Sequence, residues 1–140
     1  MHAPARRPSD LRNTDVCAAL ERILASSSFQ TCPRLSSFLR FVVEATLSGN
    51  GPRIKGYTVG VEAFGRPDNF DPQTDPIVRV EAVRLRRALA RYYAGEGARD
   101  PVVIEVPRGH YVAHFRWARG SAPHSFWLRA RGVLQRLLAA

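Results

Sequence analysis

The sequence predicts a mainly α domain closed by a C-terminal β-hairpin, an α+β fold. Three stretches carry that expectation: an amphipathic run from Asp75 to Tyr93, a more apolar run from Pro33 to Leu47, and an alternating stretch from Val102 to Phe115 turning at Pro107-Arg108-Gly109-His110. With 140 residues and 45% hydrophobic content, the chain has the size of one domain with one modest core.

Along the chain, residues 1–12 hold two prolines with Arg6, Arg7 and Arg12, the composition of a mobile basic arm. Asn13-Thr14-Asp15 is a cluster of capping residues. Val16, Leu20, Ile23 and Leu24 follow at helical spacing, which predicts helix one from about 14 to 26, ending in the serine turn 26–28. Thr31 and Pro33 mark a second start. Leu35, Phe38, Leu39, Val42, Val43 and Leu47 then repeat at three and four residues until Gly49-Asn50-Gly51 stops the pattern, which makes this the core helix. A short helix is expected from Tyr57 to Phe64, with Tyr57, Val61 and Phe64 on one face and Gly60 permitting close approach of another helix. The loop RPDNFDPQT, pinned by Phe70, leads to the next start, where Asp75 can accept from a first-turn N–H and Pro76 loses nothing by lacking one.

The helix that follows, about 75–94, has two unlike faces. At about 100° per residue, Val78, Ala82, Leu85, Leu89 and Tyr92 fall within roughly 80°, a stripe made for a core, with Tyr93 at its margin. The other side carries Val80, Val83, Arg84, Arg87 and Arg91, flanked by Arg79 and Arg86, with Glu81 the local offset. The arginine fork matches phosphate oxygens, or O6 and N7 of guanine, in a way that a lysine does not. The alternative is a solvated outer face. The whole-chain charge of +9, pI near 10.9, suits a polyanionic partner, and Lys55 is the only lysine.

Three helices of which the third bears the arginines, followed at once by a hairpin with a basic tip, is the order of a winged helix-turn-helix, in which the third helix enters the major groove and the hairpin is the wing. The wing spans about 102–117, and Arg108 and His110 at its tip would reach phosphate or minor groove. Residues 118–140 read as a linker and a basic amphipathic helix, SFWLRARGVLQRLLAA. The full expectation is a winged helix-turn-helix over 13–117 with an extra N-terminal helix and a C-terminal amphipathic helix.

The run LRRAL, followed after a spacer by VIEVPRGHYVAHF, is similar to the recognition helix and wing of OmpR/PhoB-type DNA-binding domains. More closely, YTVGVEAFGRPDNFDPQTDPIVRVEAVRLRRALARYY with the PRGHYV hairpin resembles an N-terminal domain of bacterial TolB-like and tetratricopeptide-repeat proteins often labelled adenylate cyclase; the likeness spans roughly residues 28–117. The resemblance implies a DNA-binding module of a transcriptional regulator and lends no support to a cyclase. It carries Arg79, Val83, Arg84 and Arg87 onto helix positions that face DNA, and Arg108 and His110 onto the wing. The four-stranded sheet that opens the OmpR/PhoB domain has no counterpart here, helix one taking its place, and His110 departs from that family's usual hairpin tip.

No catalytic constellation emerges, so an enzyme, a cofactor and a metal are not expected. His110 and His114, four apart on a strand, would stand about 13 Å from each other, too far for one metal ion. Asp68, Asp71 and Asp75 lack a cation-loop pattern and suit turns and caps. Cys17 and Cys32 have no ligand spacing and read as a reduced, buried thiol pair. MHAPARRP is basic but has no apolar stretch behind it, and no run approaches a membrane span, so a cytoplasmic chain is expected.

The expected partner is double-stranded DNA, met by Arg79, Val80, Val83, Arg84, Arg86, Arg87 and Arg91 with Arg108 and His110. A homodimer, and a protein partner on the C-terminal helix, remain open. Two rivals stand beside it. One is a winged-helix adaptor that has lost DNA binding and docks protein on Val80 and Val83; the other is peripheral membrane attachment through the C-terminal helix, disfavoured because its sixteen residues are broken by Gly132.

Overall fold

A computed structural model describes residues 10–119; the expected basic arm, apart from its last residues, and the C-terminal amphipathic helix lie outside the described residues. Five α-helices and one two-stranded sheet follow in order. They are α1 (Asn13–Leu24), α2 (Ser27–Gln30), α3 (Pro33–Leu47), α4 (Gly56–Thr58, running into a π-turn over Val59–Ala63), α5 (Ile77–Ala94), β1 (Val102–Glu105) and β2 (His114–Trp117).

Helix α1 starts where the capping cluster stands: the Asp15 carboxylate accepts from the Arg12 backbone N–H at 3.0 Å. It ends two residues early, and the serine turn becomes a separate helix. The reason lies 69 residues along the chain, where the Glu96 carboxylate accepts from the Ser27 N–H at 3.2 Å and from its hydroxyl, satisfying the start of α2. Helix α3 is the core helix, with Leu35, Phe38, Leu39, Val42 and Val43 all buried. Phe38, wholly enclosed, meets Phe64 and Tyr111 edge-on with ring centroids 5.3 and 6.0 Å apart.

Of the expected face of the short helix, Val61 and Phe64 pack half-buried against the core, and Tyr57 is the departure. Tyr57 is 42% exposed, and its hydroxyl donates to the Asp68 carbonyl at 3.0 Å; the buried positions are Val59 and Gly60. The wider turn is responsible: Phe64 N–H reaches back five residues to Val59 O at 3.2 Å, which shifts which side chains point inward. Gly60 does permit a close approach, but of a ring and not of a helix. A Cβ there would lie 2.3 Å from the buried Phe70 ring, which anchors the loop before α5. Within that loop Asp71 closes a turn, accepting from Gln73 N–H at 2.9 Å through its side chain, and Asp75 accepts from Ile77 N–H at 3.1 Å to start α5.

The apolar stripe of α5 is buried as the spacing predicts: Val78, Ala82, Leu85, Leu89 and Tyr92. Burial extends beyond it to Ala88 and Glu81. The hairpin is shorter than expected. Its strands pair antiparallel with Val102 opposite Trp117, Val103 opposite Arg116, Ile104 opposite Phe115 and Glu105 opposite His114. Residues 106–113 form an irregular loop that turns at Gly109, φ +97°, a conformation side-chain-bearing residues rarely adopt. Tyr111 and Ala113, expected in the return strand, belong to this loop because they pack back onto α3: Tyr111 meets Phe38, and Ala113 N–H donates to the Thr46 hydroxyl at 3.2 Å.

Tyr93 joins α5 to β1. Ile104 N–H donates to its hydroxyl at 2.7 Å, and the hydroxyl donates to Val102 O at 3.4 Å. Burial pushes the Tyr93 phenol up to about 12. Burial, followed by its hydrogen bond to the Asp100 carboxylate, also raises Tyr92. Cys17 is exposed and Cys32 half-buried, both free, so the expected buried thiol pair is not formed: Cys17 lies on the outer side of α1.

Two measurements test this packing. Gly60→Ala should lower stability in urea unfolding by about 1–3 kcal/mol, the range for overfilled cores, and Phe70→Leu should recover part of the loss in the double variant. The raised phenols favour the folded state while protonated, so that stability is complete below pH about 10, where unfolded tyrosine titrates, and falls as pH climbs through about 12. Tyr93→Phe should flatten that alkaline fall. It should also cost about 1–3 kcal/mol at neutral pH, because the buried Ile104 N–H loses its acceptor.

Candidate nucleic-acid interface

The outward ridge of α5 keeps the composition that the periodicity predicts, with Val80 51% and Val83 46% exposed and Arg84, Arg87 and Arg91 open to solvent beside them. The two valines stand three residues apart, neighbours on one helix face, exposed among guanidinium groups. Among the described residues, Arg87, Arg91 and Arg108 have no hydrogen-bond or ion-pair partner, so their charge is uncompensated at close range.

The remaining arginines of this helix are engaged. Arg79 donates to Pro72 O at 2.9 Å and braces the loop before α5. Arg84 donates to Glu81 Oε1 at 3.3 Å, and the same oxygen stands 3.8 Å from Arg34 Nη1. Glu81 itself is 3% exposed and its Oε2 has no hydrogen-bond partner. A buried carboxylate of this kind is tolerated because two guanidinium groups face it. The sequence places Glu81 as an offset on the arginine side, but it lies buried just outside the apolar stripe, with Arg34 of the first turn of α3 facing its carboxylate. Arg34 carries no signal in the sequence that would single it out.

Arg86 departs furthest from expectation. Its Nε donates to Val106 O at 2.8 Å, and its Nη2 donates to Pro107 O at 3.1 Å and to His110 O at 3.3 Å. Half-buried between α5 and the hairpin loop, it holds three carbonyls in a planar fork. Its guanidinium is therefore a clamp on the hairpin loop and not a free donor on the outer face. The loop it clamps carries Arg108: a depression of about 610 Å³ is lined by Val83, Arg86, Arg87, Ala90 and Arg108, so the hairpin tip stands beside the middle of α5. His110 is exposed in the same loop.

The separation expected for His110 and His114 is overturned. Residues 110–113 are not strand, the loop folds back, and the two rings lie 5.5 Å apart between centroids. His110 Nδ1 accepts from Val112 N–H at 3.2 Å and is thereby occupied in shaping the loop. Among the described residues no group of three His, Cys, Asp or Glu side chains gathers to hold a metal ion, and no helix is long and apolar enough to cross a membrane. No family model matches the chain, and neither a curated protein nor a solved structure matches it.

If Arg86 positions the hairpin loop, Arg86→Lys should fail to replace it, since one ammonium group cannot satisfy three carbonyls held in a fork. The expected readout is faster amide hydrogen exchange confined to residues 106–113, with both Arg86→Lys and Arg86→Ala less stable by about 1–3 kcal/mol.

Proposed function

We propose that this domain is a winged helix-turn-helix that binds double-stranded DNA as part of a bacterial transcriptional regulator, with α5 in the major groove and the 106–113 loop on the backbone or in the minor groove. The observation that carries the reading is the exposed ridge of α5 standing next to Arg108, so that unneutralised guanidinium groups on a helix and on a neighbouring loop share one surface. A helix is the element that a major groove about 12 Å wide admits. The order of elements supports the same reading: a core helix, a short helix with a loop, a long helix with one apolar stripe, then a hairpin.

The parts divide by chemistry. Arg87, near the centre of the ridge, is placed to fork onto guanine O6 and N7, and Val80 and Val83 to meet thymine methyl groups. Arg108 supplies a charge for phosphate, carried by a loop whose shape Arg86 fixes. A palindromic operator would imply a dimer.

Fluorescence-anisotropy titration of the full chain with a random-sequence duplex, single-stranded DNA and heparin, across roughly 50 to 200 mM salt, tests the reading. A steep salt slope with preference for duplex is expected. Arg87→Ala should then weaken a selected site by about 1–3 kcal/mol and relax preference at one base pair. Absence of duplex binding at low salt would remove the proposal and leave the adaptor reading, with the Val80 and Val83 patch as its docking surface.

A further inference from the structure

Resting on the duplex reading, we propose that the groove between α5 and the Ser28–Leu35 turn is a track for the phosphodiester backbone of one DNA strand, with Ser28, Arg34 and Arg91 binding its phosphates. An α-helix with its side chains is about 10–12 Å across and fills a major groove about 12 Å wide. Whatever stands on either flank of α5 therefore faces the phosphates that line the groove's two rims. On the hairpin flank that element is Arg108. On the other flank it is a depression of about 590 Å³, whose walls include Ser28, Arg84, Arg87 and Arg91 over an apolar floor of Leu35 and Ala88.

The helical angle sorts the arginines between the two flanks. Arg84 and Arg91 lie about two turns apart on the side toward α3 and Val83 turns toward the hairpin, while Arg87 and Ala90 border both depressions. No carboxylate lines the depression. Of the carboxylates beside it, Glu81 is buried with its Oε1 shared between Arg84 at 3.3 Å and Arg34 at 3.8 Å, and Glu96 is taken by the N–H and hydroxyl of Ser27. That sharing holds Arg34, whose side chain is 53% exposed, on the rim beside Arg84, one residue before groove-lining Leu35. A hydroxyl from Ser28 completes a wall of donors without a competing acceptor side chain, the composition that suits a phosphate oxygen. The two rims would be gripped by unlike means: a loop on one side, and on the other a helical turn fixed by a buried acid.

The test is the salt slope of the full chain on two unrelated duplexes for Arg34→Ala, Arg91→Ala and Ser28→Ala, with Arg87→Ala alongside as the test of α5 itself. Each of Arg34→Ala and Arg91→Ala should lower the slope by about one and weaken both duplexes equally, as loss of a phosphate contact does. Ser28→Ala should weaken both without changing the slope, and Arg34→Lys should restore it, because a point charge suffices for phosphate. Arg91 has no partner among the described residues, so its removal leaves the packing intact and carries the test even if Arg34→Ala disturbs Glu81. Unchanged slopes for Arg34→Ala and Arg91→Ala, with Arg87→Ala still weakening binding, would overturn the backbone track and leave the α5 reading standing. If Arg87→Ala is also without effect, both fall.

Discussion

Phe38 is the point through which the parts of this domain are joined. Enclosed in the middle of α3, its ring takes the edge of Phe64 from the turn after α4 and that of Tyr111 from the hairpin loop. Those two segments lie 47 residues apart in the chain, and each leads into or away from α5. One aromatic contact set therefore fixes the entry to the long helix and the return of the loop beyond it. The apolar stripe of α5 then has only one place to lie, and its arginine ridge only one direction to face.

Much of this is local chemistry and can be read from the chain. The start of α5 follows from a carboxylate and a proline at adjacent positions, its core stripe from the 3.6-residue period, and the loop's turn from a glycine that can take positive φ. What cannot be read is whatever depends on a partner distant in sequence. Helix α2 exists because Glu96 reaches Ser27, and no spacing near the serines announces it. Glu81 is buried with its carboxylate facing Arg34, 47 residues earlier in the chain. Arg86 differs from Arg87 in nothing but its angle on the helix and the carbonyls that happen to stand there, so composition assigns both to the same face while packing separates them.

The same separation organises the surface. Arginines that a count of charge treats alike fall into distinct physical states: braced on a loop carbonyl at 79, tied to a buried acid at 84, forked across three carbonyls at 86, and without a partner among the described residues at 87, 91 and 108. The engaged ones have already exchanged water for protein acceptors and stiffen the frame. The others retain full hydration, which they can exchange for an anionic partner. On the proposed reading, affinity for a polyanion resides in the second group, while the first fixes geometry.

The Tyr93 hydroxyl has a consequence beyond holding α5 to the sheet. A two-stranded sheet has two bare edges, and each is a template on which a foreign strand can grow. On β1 the outward amide of Ile104 and the outward carbonyl of Val102 are both taken by this one phenol. A side chain from a neighbouring helix thus stands where the next strand would be, and that edge of the hairpin offers an aggregating chain no ladder to extend.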